Sequence, residues 1–150
     1  MTIAQQLNIP LSAFPFSIKN RAGQEIYRET ETGWWARREF DSQHNKQTRL
    51  ENSDGFWVEH EYDKAGNLIR ESVSNGRWKT WEFNDKNHCV RYDTSNGFWG
   101  IFEFNEDGDM IFHEAQSGVR LDLRPKMVVL THAEIAQKLN IPANLLKIAG

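Results

Sequence analysis

Glu39, Glu61, Glu82 and Glu103 recur at near-constant spacing along a 150-residue chain, and Glu29, Glu51, Asp93 and Glu114 recur beside them. Two carboxylates in unlike environments are the machinery of glycoside hydrolysis. Here the acids come round with a repeat and no pair is set apart, so their first explanation is a solvated face that keeps a sheet soluble and discourages edge pairing. Calcium is disfavoured because no Asp-rich coordinating loop is present. Of five histidines, none forms a helical i, i+4 doublet for a metal. His44 and His88 sit beside turn asparagines, and His60 and His113 fall among apolar positions, where a packed ring is expected. Cys89 occupies the column held elsewhere by Leu68 and Met110 and reads as a small hydrophobe. The expectation is a non-enzymatic protein without metal or cofactor.

A second column carries more information. Trp35, Trp57, Trp78 and Trp99 stand among these acids, where an indole is not needed to keep a surface soluble. Trp and Arg dominate the energetics of protein interfaces. One reading is that the rings pack on strand neighbours and on the stems of Arg37 and Arg49. The sharper reading is a binding surface, made of Trp35, Trp57, Trp78, Trp99, Glu39, Glu61, Glu82, Glu103, Glu51 and Asp93, that suits a basic protein partner. A sugar-stacking platform on the Trp column is the alternative.

The elements that must hold these columns follow from punctuation. Gly33, Gly55, Gly76, Gly97 and Gly118 recur every 21 or 22 residues, and Gly23, Asn45, Gly66, Asn87 and Gly108 stand ten residues before them. Gly and Asn accept left-handed backbone most readily, so both series read as turns, with Asp-Gly or Asn-Gly in three of the first five. A chain that reverses every ten residues builds a β-meander, because βαβ crossovers need more length. The expected fold is all-β: an antiparallel meander of about ten short strands from five hairpin repeats of about 21 residues, with short helical segments at both termini.

Side-chain alternation then sorts the strands. One face carries Trp34, Phe56, Trp81, Phe98 and Phe102 with the column Phe40, Tyr62, Phe83 and Phe104, joined by Ile26, Ile69, Val90 and Ile111; the other carries the Trp and Glu columns. If the Ser-Asn-Gly turns are three-residue loops with a glycine bulge, Glu51 lies beside Trp57, Asp93 beside Trp99 and Arg49 opposite Glu59, a register that matches opposite charges. Four Trp at one register would form a ladder about two strand spacings apart. Asp41-Ser-Gln-His-Asn45 carries one additional residue, so that turn is longer.

The stretch Glu61-Tyr-Asp-Lys-Ala-Gly-Asn-Leu-Ile69 resembles the tyrosine-aspartate repeat of the RHS type. Tyr62, Asp63 and Gly66 give the full pattern; Phe40-Asp41, Phe83-Asn84 with Asn87, and Phe104-Asn105 with Gly108 are degenerate versions, over about residues 20 to 124. The resemblance implies antiparallel strand-turn-strand units side by side, as in cell-surface and toxin-encapsulating proteins, with carbohydrate binding sometimes attributed to them and no catalytic residues.

The two ends repeat each other. Residues 3 to 10 read Ile-Ala-Gln-Gln-Leu-Asn-Ile-Pro, and residues 135 to 142 differ from them only by Lys138. Thr2 and Thr131 are candidate N-caps, and Pro10 and Pro142 limit continuation. The C-terminal copy is similar to the first half of a helix-turn-helix, but the would-be recognition helix, Ala143 to Ile148, offers only Asn144 and Lys147 to read bases. The preferred reading is a pair of amphipathic caps over the apolar face or sheet edges, with Ile3, Leu7, Ile9, Ile135, Leu139 and Ile141 as cap or self-association residues. One domain is expected: a helical cap at 1–19, the β repeats at 20–124 and a helical segment at 125–150.

Charge and cysteine usage bound the partners. The net charge is -3, from 18 basic and 21 acidic residues, and the acids concentrate in the repeats. Phosphate backbones are bound mainly through Lys and Arg, so direct nucleic acid binding is disfavoured. No apolar run is long enough to span a membrane. A single cysteine and an N-terminus without a basic start and apolar core predict a cytoplasmic setting. Small acidic chains of this kind fit an inhibitor from a phage or mobile element. Aromatics on both faces of one sheet leave more apolar surface than two short helices can cover, so a homo-oligomer is expected.

Overall fold

A computed structural model of the chain describes residues 1–125, 130–140 and 142. Its order is α1 (Ile3–Gln6), a 3-10 turn (Leu11–Ala13), then β1 (Phe16–Lys19), β2 (Glu25–Glu29), β3 (Trp35–Phe40), β4 (Gln47–Asn52), β5 (Trp57–Tyr62), β6 (Leu68–Val73), β7 (Trp78–Phe83), β8 (Cys89–Thr94), β9 (Trp99–Phe104), β10 (Met110–Ala115), β11 (Arg120–Asp122) and α2 (His132–Leu139). The strands form one antiparallel sheet in sequence order. The expected meander is present, with eleven strands; the additional one is β1, inside the segment read as an N-terminal cap.

Local chemistry explains the turns. Val73 and Arg77 close a three-residue loop, with Gly76 at φ 83 in the left-handed region that glycine occupies without strain. In the other series Asn87 takes the same place at φ 62. The Asp or Asn that opens each of those turns accepts backbone N–H groups: Asp63 Oδ1 takes those of Ala65 and Asn67, and Asn84 Oδ1 those of Lys86 and His88. In the longer first turn, Asp41 accepts from His44 and Lys46.

Side chains then tie each turn to its neighbour one repeat on. Gln24 donates to Asn45 O, His44 and Lys46 reach Lys64 O and Gly66 O, Asn67 bonds Asn87, and Lys86 donates to Glu106 O. At the opposite ends of the strands, the N–H groups of Ser53, Ser74, Ser95 and Gln116 donate to the carbonyls of Trp35, Trp57, Trp78 and Trp99. His44 and His88, expected as turn polarity, are inter-repeat contacts: the His44 ring lies against Gly66, and the His88 ring lies against Gly108 and 4.6 Å from Phe104.

One bulge per repeat fixes which way the side chains point. Tyr62 pairs with Leu68 and Glu61 with Arg70, leaving Ile69 as the odd residue; the same slip isolates Val90 between Phe83↔Cys89 and Glu82↔Arg91. Ile26, Thr48 and Ile111 stand at the equivalent slips. All five are β-branched, the type that suits extended backbone. A period of 21 residues is odd and side chains alternate with period two, so without the odd residue each repeat would turn its Trp to the opposite face.

The sheet is a single layer. No side chain in β4 to β8 is buried, and among the described residues the buried apolar ones are small or toward the ends: Ala4, Tyr27, Ala36, Phe112 and Ala136. The accessible surface is 11077 Å². A compact chain of 17.5 kDa would expose about 7,900 Å².

Candidate functional site

The register places the expected surface on one face. Glu51 pairs with Trp57, Asp93 with Trp99, and Arg49 with Glu59, as the charge pattern required. Trp35, Trp57, Trp78, Trp99, Glu39, Glu61, Glu82, Glu103, Glu51 and Asp93 all share it.

The Trp side chains do not stand at one register, and here the structure corrects the sequence reading. Trp57 lies opposite Ser74, just past the end of β6, whereas Trp78 lies opposite Ser72, two residues earlier. Each Trp is therefore displaced by two strands and two residues from the one before, about 12 Å at standard spacings. The column is a staircase. Rows of charge run across the strands between its steps, as in Glu39–Arg49–Glu59.

Those rows change the electrostatics. The face was read as acidic with Arg49 opposite Glu59, and arginines hold further acids as well. Arg37 and Arg49 meet Glu51 at 2.5 and 2.9 Å, Arg49 also holds Glu59, Arg91 meets Asp93 at 2.6 Å, and Arg124 meets Glu103 at 3.1 Å. Arg70 lies 3.9 Å from Glu61. Glu39 and Glu82 form no ion pair among the described residues. Hydrogen bonds from Arg49 and Arg91 hold the Glu51 and Asp93 carboxyls below their ordinary range. The face carries Glu29, Glu39, Glu51, Glu59, Glu61, Glu82, Asp93, Glu103, Glu114 and Asp122 against Arg37, Arg49, Arg70, Arg91, Arg120 and Arg124, so it remains net negative.

The indoles differ in access. Trp35 stacks on Tyr27 at 6.4 Å and Arg49 lies over Trp57 at 5.7 Å, so one ring face of each is occupied. Trp99 is half-buried, and Trp78 is open to solvent with 38% of its surface exposed. The rings are thus packed at Trp35 and Trp57 and exposed at Trp78.

The N-terminal cap lies on this same face, not on the apolar one. Glu29 pairs with Trp35, and its buried carboxylate accepts from Thr2 Oγ1 at 2.5 Å, Ala4 N at 3.1 Å and Tyr27 Oη at 2.8 Å. Burial pushes this carboxyl up and the three donors pull it down, leaving it below its ordinary value. Burial and the bond to Glu29 push the Tyr27 phenol up to about 12. Ala4 is the buried contact of the cap, whereas Ile3 and Ile9 are half-buried and Leu7 is exposed. In α2, Ala136 is buried, Ile135 is half-buried and Leu139 is exposed; Ile141 and the segment Ala143 to Ile148 lie outside the described residues. Thr2 and Thr131 are N-caps, each in a full capping box. Sequence reasoning missed Glu29 as a latch, because nothing in its column distinguishes it from its solvated relatives.

The other polar candidates are structural. His113 stacks on Phe102 at 4.7 Å, and His60 bonds Gln47 O and Glu71. Burial and the nearby Glu82 carboxylate push the Cys89 thiol up, so it is protonated at neutral pH and a poor nucleophile. Among the described residues no cluster of three metal-ligating side chains forms, and no helix is long and apolar enough to cross a membrane.

No protein-family model matches the chain, and no curated protein matches it. Solved structures do. A chain in the Photorhabdus luminescens Tc holotoxin pore, solved with a TccC3 variant, is similar with a TM-score of 0.51 and 15% identity over 67% of this chain. A chain in a TcdB2–TccC3–Cdc42 crystal structure matches with a TM-score of 0.51 and 11% identity over 68%. The alignments span 5% and 7% of those chains. At these identities the likeness is one of fold: a repeat sheet of the kind found in RHS-repeat-containing Tc toxin chains.

Proposed function

We propose that this chain is a non-enzymatic interaction module that presents its Trp staircase to a protein with a basic surface. The observation that carries this is Trp78, an open indole on a face where ten carboxylates outnumber six guanidinium groups. Aromatic anchors supply contact area, and net negative charge steers a basic partner and sets its orientation. Glu39 and Glu82, free of ion pairs among the described residues, are the carboxylates readiest to meet lysine or arginine from outside. A cytoplasmic setting and a role as a phage or mobile-element inhibitor fit the single cysteine and this charge.

The test is capture on the immobilised full chain, with wild type, Trp57→Ala/Trp78→Ala and Glu39→Lys/Glu82→Lys compared and bound proteins identified by mass spectrometry. The expected result is one basic protein retained by wild type, weakened by raised salt and lost from both double variants. Equal retention by all three would remove the Trp face from the proposal. Glycan-array binding that quenches indole emission and survives raised salt would favour the sugar-stacking alternative instead.

A further inference from the structure

The face opposite the Trp staircase carries Val58, Trp81, Tyr92, Phe102 and Ile111, none of them buried, and α1 is latched to the other side through Glu29. We propose that this apolar face is the interface between two copies of the chain, packed sheet on sheet about a two-fold axis.

Three observations favour a second copy over a foreign partner. The first is area. Eight strands from β3 to β10, about six residues long, cover roughly 38 by 20 Å at standard spacings. Two copies would hide a footprint on the order of 1,500 Å², the size of a standard specific interface. The chain's accessible surface exceeds that of a compact monomer by about 3,000 Å², so the area to be hidden is available.

The second is charge. Most ionic groups within this face close on one another: Arg38 holds Glu25 at 2.7 Å, and Glu71 lies 3.8 Å from Lys79 and 3.3 Å from His60; Arg28, on β2, is exposed and has no ion pair among the described residues. A face with so little net charge can meet a copy of itself without strong repulsion, as a two-fold interface requires. The net-negative Trp face cannot.

The third is shape. Two sheets of equal twist pack face to face with strands within about 30°, and a copy of the same sheet supplies that twist by construction.

This inference is independent of the Trp-face proposal, because the two use opposite sides of the sheet. The experiment is sedimentation velocity on the full chain from micromolar to sub-millimolar concentration, with Lys79→Glu, Phe102→Asp and Trp78→Ala as variants. Wild type is expected at twice 17.5 kDa. Lys79→Glu leaves a half-exposed side chain position and sets two carboxylates against the partner's; it is expected to raise the dissociation constant at least about tenfold, or 1.4 kcal/mol. Phe102→Asp is expected to run as a monomer, and Trp78→Ala as a dimer. If Phe102→Asp loses its strand signature in circular dichroism, Lys79→Glu decides. A wild type that stays at 17.5 kDa throughout, or a dimer broken by Trp78→Ala and untouched by Lys79→Glu, would overturn the inference.

Discussion

Replacing Glu29 with Ala tests whether the N-terminal cap is held by a buried carboxylate rather than by apolar contact. The side chain is 2% exposed and takes bonds from Thr2, Ala4 and Tyr27. Each hydrogen bond to an ionised acceptor contributes about 1.5–3 kcal/mol, and removing the acceptor leaves buried donors unpaired. Water can reach those donors only if α1 lifts away, so the loss is limited to the free energy that docks α1. That docking loses about 2–3 kcal/mol, or roughly a 30- to 140-fold rise in the undocked population. The assay is amide hydrogen exchange with a thermal melt alongside. Protection at Leu7 and Ile9, whose N–H groups bond Ile3 O and Ala4 O, should fall by that factor while amides in β5 to β8 keep theirs. Unchanged exchange at Leu7 and Ile9 would refute the latch, and an equal loss across the sheet would show that Glu29 supports the whole fold instead. The pH dependence has a definite sign. Because the folded carboxyl lies below its unfolded value, its contribution is complete above the unfolded carboxylate value and is lost as pH falls through the folded one.

Three further outcomes follow from the geometry. Tyr27 should ionise near pH 12 in a phenolate absorbance titration, with Tyr27→Phe identifying its signal; the shift favours the neutral phenol, so its contribution holds below the unfolded value near 10 and fades as pH rises through 12. Gly100→Ala places a methyl where the Tyr92 ring lies, displaces that ring from its 6.1 Å contact with Phe102, and should lower stability by about 1–3 kcal/mol in denaturant unfolding; Tyr92→Ala in the same chain should relieve the overlap. Asp122, hydrogen-bonded by Arg124 at 2.8 and 2.9 Å, should titrate near pH 2 by carboxyl NMR, and Arg124→Ala should return it toward the ordinary aspartate range.

Much of the fold was legible because its instructions are local. The Asx turns at Asp63 and Asn84 close within four residues, so residue type and spacing sufficed to place the reversals. The pairing of Arg49 with Glu59 followed from counting back from Gly55. The staircase was not read, although its signal was available: a 21-residue period is odd, and only an odd residue such as Ile69 or Val90 can keep every Trp on one side. Counting that residue shifts each repeat by two places, and the ladder becomes a diagonal.

The sequence by itself determined the turns, the strand order and the two faces, since each rests on backbone bonds between residues close in the chain and on strict alternation. Only the tertiary structure decided that α1 settles on the Trp face, that Arg37 and Arg49 converge on Glu51, and that Glu29 alone among its column is buried. Those outcomes depend on which side chains meet, at separations of up to 27 positions in the chain, and chemically similar residues occupy the same columns in most repeats. What separates Glu29 from Glu51 is that a helix N-terminus lies on one and arginines on the other, which is a property of position in the sheet rather than of the repeat.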